Sequence, residues 1–150
     1  MTPVDQTTFA SKGRSSPPGN CLSACVASIL DMPIRSVPTF VDSRDPSAVA
    51  QSNGIFWEPH DYLWTRRLDA WLEGMGLETS YHGPRASIPD FYILYGYAPS
   101  GHEHAVVARA GHVVHDPHPS HTGLAVVTGA IAITPIRTSK SPSSRRKNRR

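Results

Sequence analysis

The hydrophobic period of this chain changes once, near residue 76, and that change restricts the folds open to it. Before it, Leu22, Cys25, Val26, Ile29 and Leu30 recur at three- and four-residue spacing, and Tyr62, Leu63, Leu68, Trp71, Leu72 and Met75 repeat the pattern. Both stretches predict helices, the first amphipathic and burying one stripe. After it come Leu77 to Tyr81, Phe91 to Tyr97, His104 to Ala108, His112 to Asp116 and Leu124 to Thr134. These short runs, rich in Val, Ile and Tyr and separated by Gly and Pro, predict an antiparallel sheet. Helices first and strands later give an α+β fold.

Punctuation refines the boundaries. Ser11 to Gly19, with Pro17-Pro18-Gly19, reads as an irregular approach, and Asn20 as the N-cap of a helix that begins at Cys21 and runs to about Met32, where Pro33 stops it. Asp61 reads as the cap of the second helix, which Gly74 and Gly76 close. With 150 residues, 39% of them hydrophobic, the chain has enough apolar material for one compact domain, 1–137, without metal or disulfide staples.

Charge is unevenly distributed. Six of the fifteen basic residues, Lys140, Arg145, Arg146, Lys147, Arg149 and Arg150, fall in the last eleven positions, leaving nine basic against twelve acidic residues elsewhere. The body is therefore acidic by about three charges, although the whole chain carries +3. Residues 138–150 lack side chains that could drive ordering, so they read as a disordered basic tail whose charge allows weak contact with nucleic acid. Two cysteines, no charged-then-apolar leader over Met1 to Ser11 and no apolar run near eighteen residues speak against a disulfide scaffold or a membrane span, and a reducing cytoplasm fits best.

The second half carries a feature with chemical consequences. Arg109-Ala110-Gly111 joins Val106-Val107-Ala108 to His112-Val113-Val114, and as a three-residue connection with a left-handed Gly it pairs 108 with 112, 106 with 114 and 104 with 116. His104 and Asp116 then face each other on one side of the hairpin, within reach of an imidazole–carboxylate hydrogen bond. A one-residue slip would part them. Of the two thiols, Cys21 sits at the helix start, where free N–H groups stabilise a thiolate, whereas Cys25 lies one turn inside on the apolar stripe. Cys21 is thus the candidate nucleophile, His104 its base and Asp116 the orienter of the base. His102, His104, His115, His118 and His121 are also candidate metal ligands, but no recognised ligand spacing joins them.

Gly19-Asn20-Cys21-Leu22-Ser23-Ala24-Cys25, Leu30-Asp31-Met32-Pro33, Val37-Pro38-Thr39-Phe40, His104-Ala105-Val106-Val107 and His115-Asp116-Pro117-His118 together resemble the C39-like branch of the papain-like cysteine peptidases, particularly short proteins of phage and prophage type. The likeness covers roughly Gln6 to Ile136. It implies a papain-like fold, with the cysteine-bearing helix packed on a sheet that carries the histidine and aspartate, and residence in the cytoplasm of a bacterial host. It also implies that Cys21 attacks a carbonyl, that His104 and Asp116 complete the triad, and that Gln6 helps to bind the oxyanion. Gln6 lies farther upstream of Cys21 than the pattern usually has it, and Asn20 stands where an aspartate is common.

The expected activity is hydrolysis of a peptide, isopeptide or other amide through an acyl-enzyme, without a cofactor. An acyltransferase on the same site and an inactive papain-like binding module remain the alternatives. Trp57, Tyr62, Trp64, Tyr95 and Tyr97 are candidates to line the cleft, and Trp64 and Trp71 read as lying in different helical registers, at least one of them in the core.

Overall fold

The first helix, α1, spans Cys21–Ile29 and ends three residues before the Met32 expected of it. Asp31 adopts a left-handed backbone, φ 53°, so that its N–H reaches Ser28 O and the Met32 N–H reaches Ala27 O, a Schellman ending placed just before Pro33. In this computed structural model, which describes residues 1–9, 19–42 and 63–137, a 3-10 turn follows over Ile34–Ser36 and a second helix, α2, over Leu63–Glu73. Five strands then complete the chain: β1 Leu77–His82, β2 Phe91–Tyr97, β3 Glu103–Arg109, β4 His112–His115 and β5 Val126–Pro135. They form one antiparallel sheet in the order β1-β5-β2-β3-β4, with β5 inserted between β1 and β2. The cap expected at Asp61 and the tail at 138–150 lie outside the described residues.

Two buried clusters sandwich the central strands. Ala105, Val107, Ile93 and Ile131 pack against Leu22, Cys25 and Val26 of α1 and Leu68 and Leu72 of α2, with Phe40 closing the layer. Tyr92, Leu94, Val106, Ala108 and Ala130 form the other cluster, covered by Ala86, Ile88, Leu124 and Val127. Burial on both faces explains why β3 is a continuous apolar run from Ala105 to Ala108 rather than an alternating one.

Helix α1 departs from the single stripe expected of it, because every residue from Leu22 to Ser28 is buried. Its second face is small, Ser23, Ala24, Ala27 and Ser28, and chain segments close over it: the Val4 N–H donates to Ser28 Oγ, the Thr2 N–H to Ser28 O, and Ser23 Oγ to Pro38 O. Trp64 and Trp71 also depart from expectation. Seven residues is two helical turns, so they share a face, and both pack partly buried on the α1 cluster, Trp64 edge-on to Tyr95 and Trp71 edge-on to Phe40.

Candidate active site

The hairpin β3–β4 determines where the imidazole and carboxylate meet, and it does so with a different register from the one expected. Arg109 pairs with His112, so the connection is the two-residue Ala110-Gly111, both at positive φ (49° and 83°), as a tight hairpin turn requires. That shortens the loop by one residue. A bulge between Val107 and Ala108 then shifts the ladder by one more, pairing Val107 with His115. Two single-residue shifts in the same direction preserve the parity of faces, which one alone would reverse. His104 Nε2 consequently still lies 2.8 Å from Asp116 Oδ1, both residues buried, although the exact 104–116 pairing is not formed.

Asp116 organises more than the histidine. Its Oδ1 also accepts the His118 N–H at 2.9 Å and its Oδ2 the Gly123 N–H at 2.8 Å, so the carboxylate pins both ends of the 116–123 loop. Burial by itself raises the Asp116 pKa; the hydrogen bonds from His118, His104 and Gly123 outweigh it and hold the carboxyl below the usual carboxylate range. The stability this contributes is present above the ordinary carboxylate pKa and is lost as pH falls through the lowered folded value. Asp116→Ala is expected to cost about 2–4 kcal/mol, because it leaves buried donors unpaired, and to increase hydrogen exchange at the His118 and Gly123 amides. Unchanged exchange there would contradict this account of the loop.

An ionised carboxylate at Nε2 selects the imidazole tautomer with Nε2 protonated, leaving Nδ1 as the free acceptor. Beside it, the His118 ring lies edge-on at 6.0 Å between centroids, and Phe9 is edge-on to His118 in turn at 5.3 Å.

Cys21 is the first residue of α1, half-buried, and its sulfur lies against the Ala105 N–H, next along β3 from His104. The strand is open at that edge because β4 stops at His115. The expectation of a thiolate stabilised by the helix start is met in direction but not in outcome. The N–H groups of Ala105, Leu22 and Cys21 do favour the thiolate, yet burial is the larger effect and the thiol is pushed up to about 11, with Glu103 adding repulsion. No hydrogen bond joins the thiol to the His104 ring among the described residues. Cys25 is fully buried in the core, and burial raises its thiol further. Both cysteines are free.

Gln6 reaches the site through its backbone. Its N–H donates to Pro117 O at 3.1 Å, beside Asp116, and the N-terminal segment is tied to the residue before Cys21 by Asn20 Oδ1, which accepts the Thr7 and Thr8 N–H groups at 2.9 and 3.0 Å. The Gln6 Nε2 donates to Thr8 O, while its buried Oε1 has no partner. Asn20 is therefore not the side-chain cap that its position suggested: its amide holds the N-terminal segment instead, with Nδ2 donating to Thr7 Oγ1. Nothing in the local sequence distinguishes these two uses of an asparagine.

Among the described residues, no three His, Cys, Asp or Glu side chains are grouped to hold a metal ion. The His115 Nε2 instead donates to Val4 O at 2.8 Å, and His118 Nδ1 bonds Ser120 Oγ at 2.7 Å. Tyr95 contacts Trp64, whereas Trp57 and Tyr62 lie outside the described residues. Also among the described residues, no helix is long and apolar enough to cross a membrane. No protein-family model, curated protein or solved structure matches this chain.

Proposed function

We propose that this protein is a cysteine-dependent hydrolase of the papain-like kind, acting on a peptide, isopeptide or other amide carbonyl. The observation that carries the reading is the buried His104 Nε2–Asp116 Oδ1 pair, next along β3 from the backbone N–H that meets the Cys21 sulfur at the start of α1. In this reading the nucleophile comes from one helix, and the base and orienter from one hairpin, far apart in sequence.

The chemistry follows from the protonation states. A thiol held near 11 is ionised in only ~1 molecule in 10,000 at pH 7, so the attack is base-assisted rather than made by a resting thiolate. His104 Nδ1 takes the thiol proton as the sulfur attacks, and the Asp116 carboxylate stabilises the imidazolium that forms. The oxyanion is received by N–H groups at the start of α1. The imidazolium then protonates the leaving amine. Water resolves the acyl-enzyme into a hydrolysed product; an amine in its place makes the same site an acyltransferase. The lack of a hydrogen bond from the Cys21 thiol to the imidazole among the described residues, with burial disfavouring the thiolate, favours the alternative of an inactive binding module. Catalytic hydrogen bonds that tighten only with substrate bound account for the same geometry in an enzyme.

Iodoacetamide alkylation of Cys21, followed by mass mapping across pH, tests the thiol's state. The rate is expected to be slow at pH 7 and to rise roughly tenfold per pH unit toward the value near 11. A plateau already reached by pH 8 would contradict base-assisted attack. Aminocoumarin peptide amides test the function itself: wild type turns over at least one of a diverse panel, and Asp116→Asn lowers that kcat by about 100-fold or more. Absence of turnover across the panel, with Cys21 inert to peptidyl electrophiles, would support the binding module.

A further inference from the structure

The loop after Asp116 brings a second imidazole against the first. The His118 ring lies 6.0 Å from the His104 ring between centroids, at 89° between planes, and both residues depend on one carboxylate oxygen. Asp116 Oδ1 accepts the His104 Nε2–H at 2.8 Å and the His118 backbone N–H at 2.9 Å. The rest of the loop holds His118 in place. Asp116 Oδ2 takes the Gly123 N–H, and the His121 N–H returns to His118 O at 3.0 Å, closing a turn in which His121 adopts φ 50°.

The tautomer of His118 is fixed by a donor that cannot reverse. The Ser120 backbone N–H points at His118 Nδ1 at 3.1 Å, and a peptide N–H only donates, so Nδ1 carries the lone pair. Ser120 Oγ, 2.7 Å from the same nitrogen, therefore donates to it as well, and Thr122 Oγ1 donates to Ser120 Oγ at 3.2 Å. The proton of the neutral ring must then sit on Nε2. That N–H has no partner among the described residues, on a side chain only partly buried. His104 is its complement, because Asp116 holds the His104 proton at Nε2 and leaves Nδ1 as a free acceptor. One free donor and one free acceptor stand on neighbouring rings.

A peptide presents the counterparts of both. In the proposed reaction the His104 imidazolium protonates the leaving nitrogen, so a ring packed against His104 borders the leaving-group side of the scissile bond. One carbon beyond that nitrogen, a peptide carries a carbonyl that accepts a hydrogen bond. Resting on the hydrolase reading, we infer that His118 is a specificity residue whose Nε2–H binds the first carbonyl beyond the scissile bond, selecting an amino-acid or peptide leaving group over a simple amine. Ser120 and Asp116 hold the donor before substrate arrives, which keeps the ordering cost of binding low.

The tautomer is read from two-bond proton–nitrogen NMR correlations of the imidazoles at mildly alkaline pH, with no substrate present. His118 is expected to show a bare Nδ1 and a protonated Nε2, and the reverse would overturn the inference. Turnover is then compared on two amides that share the acyl peptide selected by the aminocoumarin panel and differ in the leaving amine, glycinamide or propylamine. Glycinamide alone carries the carbonyl. The kcat/KM ratio of glycinamide to propylamine is expected to fall by about tenfold or more in His118→Ala and to be largely restored in His118→Gln, whose amide nitrogen can replace Nε2. Comparing the ratio between proteins cancels the intrinsic reactivities of the two amides. The His118 N–H that bonds Asp116 belongs to the backbone, so both variants retain it. An unchanged ratio with turnover intact, or a fallen ratio that glutamine does not restore, overturns the His118 assignment alone. No turnover of any amide by wild type, with the tautomer as expected, overturns the hydrolase reading and the leaving-group assignment with it.

Discussion

Replacing Cys21 by alanine is expected to lower amide turnover by about 10,000-fold or more while leaving the melting temperature within a few degrees of wild type. The side chain supplies the only atom proposed to bond covalently to substrate, and nucleophile losses in such triads are not rescued by the base and orienter that remain. It is half-buried at the helix start, so truncation removes little packing. Cys25→Ala is expected to invert the pattern. Its sulfur is fully buried among Leu22, Val26 and Ala105, and losing it costs about 1–2 kcal/mol of stability with turnover largely retained. Thermal denaturation and kcat/KM measured on both variants separate the roles. Comparable activity in wild type and Cys21→Ala would end the case for a thiol enzyme, whatever the stability of either.

The largest stability effect is expected at Gly96. A methyl group there would lie 2.0 Å from Val126 O and 3.0 Å from Thr128 N, both backbone atoms of β5, where the β2–β5 ladder shifts between Tyr95 and Gly96. Neither atom can yield without opening the sheet at its centre, so Gly96→Ala is expected to cost about 3 kcal/mol or more, a drop in Tm of roughly 10 °C. Gly96 is also the cross-strand partner of His104, and a forced separation there displaces the base as well as the sheet. Gly83 provides the control: a methyl group at that position meets nothing within 4 Å, and Gly83→Ala is expected to change stability by less than about 0.5 kcal/mol. Equal melting temperatures for the two variants would show that β2 and β5 do not approach as described.

How far the site can be read from sequence depends on the range of the interaction. The start of α1 and all five strands follow from local periodicity and punctuation, within one or two residues at the strand ends, whereas α1 stops three residues before the expected Met32, where Asp31 takes a left-handed backbone. The meeting of His104 and Asp116 also follows, but by a route the residues do not reveal. A two-residue turn in place of three and a bulge at Val107–Ala108 each move the register by one, and only their combination restores the shared face. A bulge arises from packing on both sides of a strand and has no dependable local signature.

The state of Cys21 was legible only in part, because the helix start is local whereas the burial that dominates its ionisation comes from β3 and the segments packed around it. Asn20 shows the same limit. Its role is set by Thr7 and Thr8, more than ten residues upstream, and a local reading assigns it to the helix it precedes.

The most direct test of the central claim is mass mapping of a peptidyl electrophile, such as an acyloxymethyl ketone, on wild type and His104→Ala at pH 7. The account predicts a single adduct on Cys21 in wild type, formed at least about 100-fold more slowly once the imidazole is removed. Slow, equal labelling of Cys21 and Cys25 in both proteins would contradict it.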